Sequence, residues 1–257
     1  MKYLLIPLVL ILTVSCQQST TPEDLINQAD LALEANDTEM AISLYSEAVS
    51  QTPDNTTYYL KRSKAYIQAK ETSKAIADLE KVCLLEPDNL DALYDKALLH
   101  LDLGELQPAI KDLTQYIESA SDPSKTYHKR GEAYLEMGKY EIALADFDSA
   151  ISDQTKDASL YFNRGKAKFF LEQLPEATMD FTTAIELNRR HAQAYWYRSL
   201  IHEHEKNKFA ADQDRRKAIE INPGLEFSNT NIGVDLIKGL RGSKKANSEF
   251  NLDSLGK

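Results

Sequence analysis

The chain has 257 residues, 42% of them apolar and 27% charged, with a formal net charge of −10. That composition is globular and too apolar for a disordered chain, and its acidity sets nucleic acid aside as a partner. Nine glycines and eight prolines are too few for a turn-rich sandwich or barrel.

The N-terminus reads Lys2, then an apolar run from Tyr3 to Leu12, then Thr13, Val14, Ser15 and Cys16. A basic start, a short apolar stretch and small residues before a cleavage point predict a secretory signal over 1–15. The run is shorter than the roughly 20 apolar residues that a spanning helix needs. Val14, Ser15 and Cys16 resemble the bacterial lipobox, whose cysteine becomes the lipidated first residue of the mature chain. That resemblance implies acylation of Cys16, a short linker over 16–21, and attachment to a membrane of the bacterial envelope. Gln17, in place of Asp, implies the outer membrane facing the periplasm under the enteric sorting rule. Acylation of Cys16 would leave Cys83 alone, so no internal disulfide is expected.

From Pro22 onward the sequence has a period of 34 residues. Six segments tile 22–225 without a gap: 22–55, 56–89, 90–123, 124–157, 158–191 and 192–225. Position 20 of each is alanine, from Ala41 to Ala211. Position 8 is always small (Ala29, Ser63, Ala97, Gly131, Gly165, Ser199), and position 4 is always large. Position 27 is Ala48, Val82, Tyr116, Ala150, Ala184 and Ala218. Small residues at 8, at 20 and in most repeats at 27 let two antiparallel helices approach closely, while larger ones at 4 and 24 fill the space beside them. Pro53, Pro87 and Pro223 stand where second helices should stop. Pro108 and Pro175 stand where second helices begin, a place that tolerates a missing N–H. Gly104 and Gly138 fall in the turns between helices.

Phrases such as Tyr161-Phe162-Asn163-Arg164-Gly165 and Ala143-Leu144-Ala145-Asp146-Phe147 are similar to the consensus of the tetratricopeptide repeat (TPR) family. The resemblance covers about four-fifths of the chain. It implies an all-α fold: a right-handed α-solenoid of six helix hairpins with a concave inner face. Such units need neighbours and caps. The apolar residues Ile232, Val234, Leu236, Ile237 and Leu240 make 226–241 a candidate capping helix, and 242–257 reads as a loose tail, together a C-terminal segment 226–257.

Position 7 is basic in repeats two to six (Arg62, Lys96, Arg130, Arg164, Arg198), and position 23 is Asp78, Asp112, Asp146, Asp180 and Asp214. Repeat one has Gln28 and Leu44, losing both partners together. This joint loss predicts a structural ion pair between the two helices of a hairpin, rather than a basic row for an anionic ligand.

Signals of catalysis are thin. His202 and His204 are two apart, which points them to different sides of a helix. There is no phosphate-binding glycine loop, nucleophile elbow or metal-ligand spacing, so neither enzymatic chemistry nor a cofactor or metal is expected. Cys83 reads as a packed small apolar residue.

In the family that this chain resembles, ligands lie against the first helix of each repeat. Carried over by position, that face holds Glu23, Asp30 and Glu34 in repeat one, and Asp91, Tyr94, Asp95 and Asp102 in repeat three. Repeat four adds Lys125, His128, Lys129, Glu132 and Glu136. Repeats five and six add Phe162, Asn163, Lys166, Trp196 and Tyr197, with Phe169 and Phe170 either lining the groove or packing between helices. Aromatic residues there would anchor an extended or helical peptide. The expected site residues are therefore Asp91, Tyr94, Asp95, His128, Phe162, Asn163, Lys166, Trp196 and Tyr197. The expected function is a lipid-anchored, non-catalytic scaffold for a protein or peptide, resembling in layout lipoproteins that assist envelope assembly. The alternative is an adaptor that tethers a periplasmic enzyme such as a cell-wall hydrolase or protease.

Overall fold

The computed structural model describes residues 20–152 and 155–227. The signal over 1–15, the Cys16 acylation site and the linker up to residue 19 lie outside them, as do the candidate capping helix beyond Phe227 and the tail. Twelve α-helices, a short 3-10 helix over Pro223–Phe227 and no strand occur among the described residues. The fold is an all-α helical repeat. First helices are α1 (Pro22–Glu34), α3 (Thr56–Gln68), α5 (Leu90–Asp102), α7 (Ser124–Glu136), α9 (Ala158–Phe170) and α11 (Ala192–His204). Second helices are α2 (Thr38–Gln51), α4 (Thr72–Leu85), α6 (Leu106–Ser119), α8 (Tyr140–Ala150), α10 (Leu174–Leu187) and α12 (Lys208–Ile221).

Local chemistry explains where these helices begin and turn. Side chains of Thr21, Asp37, Asn55, Asn89, Asp157 and Asn207 accept backbone N–H bonds at helix starts, satisfying donors that have no partner within the helix. His191 does the same for α11, its Nδ1 accepting from the Ala194 N–H at 3.3 Å. Burial holds the His191 imidazole below its ordinary pKa, which suits an accepting ring nitrogen. Every hairpin turns through a left-handed residue at position 15: Asn36, Lys70, Gly104, Gly138, Glu172 and Lys206, with φ between 59° and 72°. The next N–H then reaches back to the first helix, as in Asp37 N–H to the Ala32 carbonyl at 2.8 Å. Glycine adopts this φ at no steric cost, whereas Lys70, Glu172 and Lys206 hold it because the hairpin on either side requires it.

The chain divides into two compact units, with the boundary after Lys81, inside α4. In the first unit Leu25, Ala29, Ala41, Tyr45 and Ala48 form the buried centre. Tyr45 donates its hydroxyl to Asp30 at 2.6 Å, and Lys61 donates to both oxygens of the same carboxylate. Burial opposes the charge on Asp30, but the bonds from Lys61 and Tyr45 outweigh it and hold this carboxyl below the usual range.

The second unit buries Leu93, Ala97, Leu99, Ala109 and Leu113 of α5 and α6, and two further clusters of buried residues. One centres on Phe147, Tyr140, Leu160 and Leu135. The other gathers Phe169, Phe181, Phe162, Tyr197, Leu200 and Trp196, and Leu225 of the 3-10 helix also belongs to it. Phe169 is therefore core. Phe170 is part-buried and packs against both clusters, stacking on Tyr140 with ring centroids 4.6 Å apart.

Helix spacing within a hairpin is tuned residue by residue. Repeats four and five are the two with phenylalanine at position 24, and both have glycine at position 8. A Cβ on Gly131 would lie 2.7 Å from Phe147, and one on Gly165 would lie 2.8 Å from Phe181. Alanine normally stabilises a helix interior relative to glycine by about 1 kcal/mol. Here Gly165→Ala should instead destabilise by about 1–3 kcal/mol, because the phenyl ring has no free volume to retreat into. Urea unfolding of Gly165→Ala, with and without Phe181→Leu, checks this; the second substitution should recover part of the loss.

All five position 7 and 23 pairs form. Arg62, Arg130, Arg164 and Arg198 each grip their aspartate with Nε and Nη2, at 2.6–2.9 Å, and Lys96 reaches Asp112 at 3.1 Å. The remaining guanidinium nitrogen of each arginine donates to position 25 of the preceding repeat, to Ser46, Thr114, Asp148 and Thr182 respectively. One side chain thus ties its own hairpin together and binds it to the hairpin before. The position 4 tyrosine lies beside each of these arginines, 5.5–5.7 Å from ring centroid to guanidinium carbon. This fork geometry needs arginine: Lys96 makes a single contact to its aspartate where each arginine makes two.

Candidate functional site: the first-helix face of the second unit

The face formed by α5, α7 and α9 carries the expected polar residues. On α5, Asp91 and Asp95 are exposed and Tyr94 is part-buried, its ring 5.4 Å from that of Tyr116. Burial pushes the Tyr94 phenol up, so it stays protonated and able to donate. Between α7 and α9 lies a connected network. Asn163 donates to Glu132 at 3.0 Å and its amide nitrogen lies 3.3 Å from His128 Nε2. Lys129 donates to the other Glu132 oxygen at 2.8 Å, and His128 faces Asp157 at 3.5 Å on its opposite side.

Glu132 is the hub. Burial opposes its charge, but hydrogen bonds and charge from His128 and Lys129 prevail and hold its pKa down at about 2. The same pairing raises Lys129 against the effect of burial. The result is a pre-ordered strip of donors and acceptors, half-open to solvent, with carboxylates on its α5 side.

Four expected site residues are corrected by their burial. Phe162, Trp196 and Tyr197 are only 5%, 4% and 2% exposed and belong to the C-terminal core cluster. Phe162 packs against His191, Tyr197 and Phe181 with centroids 4.6–5.9 Å apart. Lys166 is buried too, its ammonium 5.7 and 5.9 Å from the Phe162 and Tyr197 rings. The physical reason is side-chain reach. The rings of Phe162, Trp196 and Tyr197 extend to neighbouring helices and are covered, whereas Tyr94, His128, Lys129 and Asn163 at the same positions are only part-buried. The network also includes Asp157, which sequence reasoning missed. Its signal was available: an aspartate immediately before Ala158 is a helix cap placed beside the first turn of α9.

Among known proteins, one sequence model of the tetratricopeptide repeat matches residues 63–127, and another matches 26–84 and 128–177. Together they span more than half of the chain. The chain belongs to the tetratricopeptide repeat family. No curated protein matches it in sequence. Several solved TPR structures share the fold. The C-terminal part of a TPR repeat-containing protein from Cytophaga hutchinsonii is 15% identical with a TM-score of 0.64, covering 86% of this chain and 96% of its own. YrrB, described as a TPR protein with an unusual peptide-binding site, is 17% identical with a TM-score of 0.61, covering 76% and 97%. A MamA protein is 24% identical with a TM-score of 0.61, covering 67% and 94%.

Proposed function

We propose that this TPR protein is a non-catalytic scaffold that binds a protein or peptide segment along the α5–α7–α9 face, anchored by acylated Cys16 in the bacterial envelope. The observation that carries the binding reading is the His128–Glu132–Lys129–Asn163 network. Its members are held in place by one another and remain partly open to solvent, so a bound backbone would meet fixed donors and acceptors at little ordering cost. Asp91 and Asp95 add a carboxylate edge suited to basic groups of the same segment. YrrB supports peptide binding as a use of this fold. The anchor, and its assignment to the outer membrane, rest on Val14-Ser15-Cys16-Gln17.

A photo-crosslinking residue at position 163 in native membranes, followed by mass spectrometry of the adducts, tests the site. We expect a discrete partner, and about tenfold weaker capture by the His128→Ala, Glu132→Gln double variant with its helical circular dichroism unchanged. Capture that is unaffected in the folded variant would move the site elsewhere. Mass spectrometry of the mature N-terminus tests the anchor separately, since an unmodified terminus would remove it without touching the binding face.

A further inference from the structure

A second feature lies away from that face. A cleft of about 570 Å³ is lined by Ile185, Glu186, Arg189, Arg190, Tyr195 and Lys217, at the junction of α10, α11 and α12. Arg189 and Arg190 occupy positions 32 and 33, where repeats one and two have Pro-Asp and repeat six has Pro-Gly. This junction, like those after repeats three and four, lacks that proline, and it places two like-charged side chains next to each other in the chain. Both are exposed, and neither is in an ion pair among the described residues. Lys217 adds a third cation, held by Glu220, and Glu186 is the one carboxylate lining the cleft. Between them the part-buried ring of Tyr195 supplies the open apolar surface, beside Ile185, which belongs to the buried core cluster. Such a cleft fits a surface that combines an apolar tip with several carboxylates.

The chain carries such a surface itself. Repeat one has eight acidic residues and no lysine or arginine. At the α1–α2 end of its hairpin, Leu31 and Met40 are 65% and 54% exposed, flanked by exposed Glu34, Asp37 and Glu39. Leu31 stands at position 10, which is buried in every later repeat as Ala65, Leu99, Ala133, Ala167 and Ile201. We infer that the Arg189–Arg190 cleft receives the α1–α2 end of a second copy of this chain, in a head-to-tail contact. Leu31 and Met40 would meet Tyr195 beside Ile185, and the carboxylates would face the three cations. The two surfaces differ, so the contact is heterologous and can propagate beyond a dimer. Local complementarity has to overcome the repulsion between two chains of charge −10, which salt screens over about 8 Å at physiological strength.

Sedimentation velocity of the full chain across a concentration series tests this. Wild type should pass from monomer to larger species as concentration rises. Arg189→Glu with Arg190→Glu should shift that transition to at least about tenfold higher concentration, as should Glu34→Lys with Glu39→Lys. An equimolar mixture of the two charge-reversed variants should associate again, because the native tip of the first meets the native cleft of the second and the reversed cleft faces the reversed tip. A wild type that remains monomeric throughout, or association that survives both reversals, would overturn the proposal. So would binding of a fluorescent oligoglutamate peptide to the cleft of a monomeric wild type, which would assign it to an acidic partner instead. None of these outcomes bears on the α5–α7–α9 face.

Discussion

Replacing Phe162 and Trp196 together by alanine is expected to unfold the two C-terminal hairpins, not merely to remove a ligand contact. Both rings are buried in one cluster, and truncating a buried Phe or Trp costs about 3–5 kcal/mol. Two such losses in contact with a shared core approach the whole stability of an ordinary domain, about 5–15 kcal/mol. Each hairpin leans on its neighbours, so loss of the fifth and sixth should appear as a separate early transition. Urea titration followed by far-ultraviolet circular dichroism measures this. Trp196→Phe, which keeps most of the buried area, should retain a late transition. Melting of the double variant that matches wild type would show that the rings are surface anchors after all.

Removing one side of a buried ion pair should have the second large effect. Arg130 is held by both oxygens of Asp146 at 2.7 and 2.9 Å, by Thr114 at 3.1 Å and by the rings of Tyr127 and Tyr134. Only 16% of its side-chain surface and 5% of that of Asp146 are exposed. Asp146→Ala would leave a largely buried guanidinium without its counter-charge, at a cost of about 3–5 kcal/mol. Replacing both partners by apolar residues, Arg130→Met with Asp146→Leu, should recover much of that. A double-mutant cycle then separates pair from context: strong coupling is expected, and additive single variants would mean that the contact is energetically idle. Arg130→Lys is also informative. It keeps the charge but gives up the fork that reaches Asp146 and Thr114 together, so part of the stability should be lost.

Much of this was legible in the residues alone. The 34-residue period is a property of the chain, and most repeats carry punctuation in capping residues or prolines, with glycine at the position 15 turn in repeats three and four. The recurrence of Arg or Lys at position 7 with Asp at position 23 identified ion pairs 16 residues apart, and their joint loss in repeat one marked them as partners. The exchange of Ala or Ser for Gly at position 8 wherever position 24 is Phe is likewise readable as paired volumes. These features are contacts within one hairpin or between adjacent ones, so sequence spacing maps directly onto spatial neighbours.

Exposure was decided only by the tertiary structure. A register shows which way a helical residue points, but not whether a ring from the next helix covers it. Phe162 and Asn163 are adjacent on α9 and were both expected on an open face. One is enclosed by His191, Tyr197 and Phe181, while the other remains half-open beside Glu132 and His128. Lys166, a cation in the sequence, proves to be covered, whereas Arg189 and Arg190, which match no residue that recurs at their positions, line a cleft. Burial is a property of all the neighbours at once, set by side-chain length and by packing between helices that the period alone does not measure.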